Sequence, residues 1–159
     1  MDVSSEMVYP LVPLFLTSSL GASKSIVGLI EGIAEAAASL LKLFSGVMAD
    51  RFGKNKLLMG LGYGISTASR PLLALAPGWG TVLAARFTDR VGKGIRTAPR
   101  DAIIAASTPP ERLGVAFGFH RALDTAGAVV GPALALVILS VWVADYRLVF
   151  WLSIVPGVV

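Results

Sequence analysis

Cysteine is missing from this 159-residue chain, and histidine occurs once, at His120. Without thiolates there is no disulfide framework and no cysteine metal site, and one imidazole does not make a metal centre. No nucleophile and base can be paired, so an enzyme is not expected, nor is a cofactor. Charge is scarce too, at 15% of residues against 55% hydrophobic, and mean hydropathy is +0.74. A soluble domain of this length needs a far more polar surface. The pI near 9.8 would suit a nucleic-acid partner, but the basic residues fall between apolar segments, so none is expected. The opening Met1-Asp2-Val3-Ser4-Ser5-Glu6 lacks the basic start of a signal peptide, and Pro10 and Pro13 interrupt the apolar run behind it.

What is present is a succession of apolar segments separated by short polar turns. They read as an all-α membrane protein with spans at 1–17, 26–48, 57–76, 80–104, 113–143 and 148–159, the first and last cut short. Residues 49–56 read as a charged turn, and Pro77-Gly78-Trp79-Gly80 as a tight one with an interfacial tryptophan. Gly28 and Gly32, Gly60 and Gly64, Gly114 and Gly118, and Gly127 and Gly131 have the spacing that lets helix backbones approach closely in lipid. The glycines at Gly60, Gly62 and Gly64 do not make a dinucleotide loop, because no strand precedes them.

The fourth segment is the exception to this apolar pattern. On a helix, Arg86, Asp89, Lys93, Arg96 and Arg100 fall on one face, with Arg90, Thr97 and Asp101 beside it. The stripe is roughly 22 Å long at ~1.5 Å per residue. Each basic residue near a bilayer centre costs ~3 kcal/mol, so the stripe must face a water-filled cavity or opposite charges. Charge topology also favours its crossing: Arg51, Lys54 and Lys56 mark a cytoplasmic turn, and only a crossing returns Arg96, Arg100 and Arg112 to that side. Ionisable residues on other segments face the same way in register. Asp2, Glu6 and Tyr9 share a face, as do Glu31, Glu35 and Lys42, and as do His120, Arg121 and Asp124.

The run Gly46-Val47-Met48-Ala49-Asp50-Arg51-Phe52-Gly53-Lys54-Asn55-Lys56 resembles the signature of the major facilitator superfamily between its second and third helices. Arg86 followed by Gly92 is similar to the superfamily's fourth-helix signature, with Arg90 where a glycine is usual. Gly127-Ala128-Val129-Val130-Gly131-Pro132 looks like its fifth-helix antiporter signature, but Ala135-Leu136 replaces the closing glycine pair. The resemblance covers the chain as a six-helix N-terminal bundle. It implies a gating role for Gly46, Asp50, Arg51, Gly53 and Lys54, and helix packing by Gly127, Gly131 and Pro132. It also puts the first and fourth helices at a central cavity, so that Asp2, Glu6, Tyr9, Arg86, Arg90 and Lys93 would meet the solute.

The expected function is secondary transport of a small solute by alternating access in a bacterial-type cytoplasmic membrane, with export or antiport implied by the resemblance. Glu31, Glu35, Arg121 and Asp124 are the expected proton-coupling group, since carboxylates near bases in low dielectric change protonation as the charge balance changes. The arginine surplus suggests an anionic or zwitterionic solute. The expected partners are the lipid bilayer, the solute, protons, and a C-terminal half or a second copy. The alternatives are a half-size transporter acting as a dimer, and a half-bundle scaffold or sensor that transports nothing.

Overall fold

The computed structural model describes residues 2–141 and 145–158, and their side chains except at Asp2, Met48, Ala49, Asp50, Phe52 and Val158. Every regular element among them is helical. The order is α1 (Asp2–Val8), α2 (Leu11–Leu14) running into a π turn (Phe15–Ser19), α3 (Lys24–Phe52), α4 (Asn55–Ala74), α5 (Trp79–Ala106), a 3-10 turn (Pro110–Arg112), α6 (Leu113–Val141), α7 (Tyr146–Leu152) and α8 (Val155–Val158). The segment expected as one helix over 1–17 breaks at Tyr9-Pro10, where proline has no N–H to continue the ladder. Pro156 likewise falls just after the break between α7 and α8, in a segment expected as one helix over 148–159.

The charged turn expected over 49–56 is much shorter. Helix α3 continues to Phe52, and Gly53 with Lys54 suffices to enter α4. Gly53 has φ +61°, a left-handed conformation that glycine alone adopts without penalty, so one residue reverses the chain. At the other end of the molecule Asp145 caps α7, its Oδ1 accepting from the N–H groups of Arg147 at 3.0 Å and Leu148 at 3.2 Å.

Helix α5 packs along both α3 and α4, while α1 lies on α6, and α7 and α8 close against α4 and α1. The close approaches run through glycine. A Cβ at Gly62 would lie 2.7 Å from the Gly92 carbonyl oxygen, one at Gly92 2.5 Å from that of Gly62, and one at Gly94 3.0 Å from that of Ala38. The expected GxxxG pairs divide. A Cβ on Gly131 would lie 2.7 Å from the Glu6 Cβ, at the α1–α6 contact, whereas one on Gly28, Gly32, Gly60, Gly64, Gly114 or Gly118 would meet nothing within 4 Å. Those six glycines sit on faces turned away from the rest of the chain, and the spacing alone did not distinguish them.

The apolar core occupies one end of the bundle, where Leu11, Phe15 and Leu16 meet Leu73, Val82, Val149 and Phe150. Phe15 and Phe150 stack edge to face at 5.3 Å. Towards the other end the interior becomes charged, with Arg70, Arg86, Asp89, Arg90 and Arg96 all buried. The outside is apolar: Leu43 is 72% exposed, Phe44 64%, Val115 73% and Phe119 67%. Large apolar side chains thus stand on the outside as well as in the core. By length and composition, Pro110–Val141 is the stretch among the described residues that is apolar enough to cross a membrane.

Candidate functional site

A cavity of about 350 Å³ lies between α1, α3, α5 and α6. Glu6 enters from α1, Glu35, Ser39 and Lys42 from α3, Lys93, Arg96, Thr97 and Arg100 from α5, and Arg121 and Asp124 from α6. Each helix contributes through its own periodicity: Glu35, Ser39 and Lys42 are successive i+4 and i+3 positions on α3, as are Lys93, Thr97 and Arg100 on α5. Gly94 lets α3 and α5 come close enough for their polar stripes to share one space, and Ser45 Oγ donates to its carbonyl at 2.9 Å.

Beside the cavity is a layer of ion pairs that crosses the bundle. Arg86 donates from Nε and Nη2 to the two oxygens of Glu31, at 2.9 and 2.6 Å, in a two-pronged pair between α5 and α3. Asp89 lies between two guanidinium groups, 3.5 Å from Arg70 on α4 and 3.9 Å from Arg86. Arg70 also donates to Ser5 Oγ on α1 at 2.9 Å. Arg90 faces Glu35 at 3.5 Å. The Tyr9 ring sits over both Arg86 and Arg90, 5.0 and 5.2 Å from their guanidinium carbons, where its negative face attracts them. Further along, Arg96 donates to Ser66 Oγ at 2.6 Å and lies over the Tyr63 ring at 4.8 Å.

The expected site residues therefore occupy different places. Glu6, Lys93, Glu35, Arg121 and Asp124 line the cavity. Arg86, Arg90, Glu31 and Tyr9 form the layer beside it, with Glu35 facing both. Asp124 reaches His120 one turn away at 3.4 Å. In the α3–α4 turn, Gly46 borders Ala98 on α5, Gly53 makes the reversal, and Arg51 and Lys54 are exposed. Gly127 and Gly131 are buried against the rest of the bundle, and Pro132 follows within α6. The side chains of Asp2 and Asp50 lie outside the described residues.

Sequence reasoning overlooked Arg70, which binds three helices together, and the pairing of Arg96 with Ser66 and Tyr63. Arg70 carried a usable signal, since it is the ionisable residue in the interior of an otherwise uncharged apolar segment and such residues need a partner. Ser66 and Tyr63 carried none, because single hydroxyls are common in buried helices.

Buried ion pairs, exposed apolar side chains and a polar cavity among helices are features of helical membrane proteins. The Major Facilitator Superfamily family model matches residues 1–159, and the chain belongs to that family of membrane transporters. An uncharacterized MFS-type transporter of Methanocaldococcus jannaschii is 40% identical over 156 residues, covering 98% of this chain and 39% of its own length. An uncharacterized protein of Mycobacterium tuberculosis is 32% identical, covering 89% of this chain and 35% of its own length. The multidrug resistance protein MdtH of Yersinia pestis is 28% identical, with 91% and 35% covered. The chain thus spans between a third and two fifths of the length of these relatives.

Proposed function

We propose that this bundle is the N-terminal part of a secondary active transporter that moves a small solute by alternating access, its helical segments spanning the cytoplasmic membrane several times. The observation that carries the reading is the half-open polar cavity lined by four helices, two of which turn large apolar side chains outward. A solute site near the middle of a helical bundle is what rocking of two bundles about a fixed point requires. The partner is a second bundle of the whole protein or a second copy. Export is favoured by the similarity to MdtH, whose name declares multidrug resistance.

In this reading the ion-pair layer of Arg70, Asp89, Arg86 and Glu31 holds α1, α3, α4 and α5 as one rigid body, with Arg90 and Tyr9 forming its cavity-side edge. Glu35 and Asp124 carry the transported protons, with Arg121 biasing them; both carboxylates reach the cavity, and each faces a base that reclaims it when the proton leaves. Gly46, Asp50, Arg51, Gly53 and Lys54 form the gate on the side of the α3–α4 turn. The test is flux into proteoliposomes carrying the whole gene product under an imposed proton gradient. Glu35→Gln and Asp124→Asn should each retain exchange at equilibrium while abolishing gradient-driven accumulation. Accumulation unchanged in both variants would remove the coupling assignment, and no flux of any solute in the native protein would favour a scaffold or sensor.

A further inference from the structure

The charges around the cavity are unbalanced, and the imbalance identifies a class of solute. Five lining side chains are cationic and three are carboxylates. Glu35 is already committed to Arg90 at 3.5 Å and Asp124 to His120 at 3.4 Å, which leaves Glu6, near Lys93, as the one lining carboxylate to set against the remaining cations. On the basic side Arg100 faces Asp101 at 3.2 Å, but Lys42, Lys93 and Arg121 make no salt bridge among the described residues. These three come from α3, α5 and α6, so they converge on the space from separate helices rather than forming one surface run. All three are exposed to the open space of the cavity, and like charges gathered there repel one another unless an anion joins them. A volume near 350 Å³ is at the small end for ligand pockets and holds roughly a dozen water volumes.

We propose that the solute is a small organic dianion, its carboxylate or phosphate oxygens held between Lys42 and Lys93 on one side and Arg121 on the other. This rests on the transporter reading and names the substrate class of the same cavity. Glu35 is then a competing internal anion: it occupies Arg90 from the cavity side, and its own side chain is 66% exposed while that of Arg90 is 7%. Removing its charge strengthens the field an incoming anion meets.

The experiment is calorimetric binding to the whole gene product in detergent, with succinate and glycerol 3-phosphate as dianion probes, glycerol as the neutral one and tetraphenylphosphonium as the cation. The expected result is that the dianions bind and the other two do not, with Lys93→Gln and Arg121→Gln each weakening binding about tenfold, as for loss of one charge-assisted contact. Lys42→Gln, at an exposed side chain whose loss leaves the fold intact, should weaken it in the same direction, and Glu35→Gln should tighten it. Binding of tetraphenylphosphonium alone, weakened by Glu35→Gln, would overturn the dianion assignment while leaving a transporter. Dianion affinity unaffected by all three basic substitutions would overturn it by placing the anion elsewhere. Binding that follows the phosphatidylglycerol content of the micelles and ignores the soluble probes would overturn it by assigning the charges to lipid headgroups. Absence of both binding and vesicle flux for every probe would bring down the transporter reading with it.

Discussion

Helices α5 and α6 are nearly equal in length and opposite in character. Helix α5 buries Arg86, Asp89, Arg90 and Arg96 and packs on two neighbours, whereas α6 buries Gly127, Gly131 and Ala135 and turns Val115, Phe119, Leu123 and Leu136 outward. Hydropathy picks out α6 and passes over α5. The difference shows that the scale reads the overall apolar character of a helix rather than its place in the bundle. A helix surrounded by protein can carry ions if its neighbours supply the counter-charges, while one facing lipid must be apolar. Here the neighbours supply Glu31 on α3, opposite Arg86, and Arg70 on α4, opposite Asp89.

The strongest way to break the contrast is to unbalance the buried layer. Asp89→Ala leaves the guanidinium groups of Arg70 and Arg86 facing each other without their shared anion, and should cost about 3 to 5 kcal/mol, as for removal of one partner of a buried pair. Phe119→Ala on the outward face of α6 should change stability by less than about 0.5 kcal/mol, as at exposed sites without a packing role. Thermal unfolding of the two variants in one detergent checks both.

A smaller effect, with opposite signs on the two helices, is expected from glycine substitution. Gly92→Ala puts a methyl 2.5 Å from the Gly62 carbonyl oxygen and 2.6 Å from Ser66 Oγ, where it has no room, and should destabilise by about 1 to 3 kcal/mol. Gly118→Ala meets nothing within 4 Å in this chain, so the gain in helix propensity should stabilise it by up to about 1 kcal/mol. A loss at Gly118 equal to that at Gly92 would mean that another bundle sits on that face. A local effect is expected outside both helices: Asp145→Ala removes the cap of α7 and should cost about 1 kcal/mol, seen as faster amide exchange at Arg147 and Leu148.

Much of the site was legible in the chain because a helix converts spacing into direction. The stripe on α5, the Glu35 and Lys42 pair on α3 and the Arg121 and Asp124 pair on α6 needed only the helical period to be read as inward, and the structure places Lys93, Arg100 and those four around one cavity. The Gly53 reversal and the family signature around it were equally local. Spacing does not say which partner stands opposite. The four GxxxG pairs look alike as text, yet three of them meet nothing in this chain. Nor did it separate the cavity-lining Lys93 from Arg86, which Glu31 holds in the layer beside it.

The sequence by itself determined that the chain is helical, that its charged residues fall in stripes on particular helix faces, and that it has the family's turn between α3 and α4, because propensity, periodicity and turn chemistry act over a few residues. Only the tertiary structure decided the pairings. Arg70 meets Asp89, Arg96 meets Ser66 and Gly62 meets Gly92, across 19 to 30 positions of chain and from different helices. Those contacts depend on how closely two backbones approach, and that distance is set by packing between helices and not by the order of residues within either one.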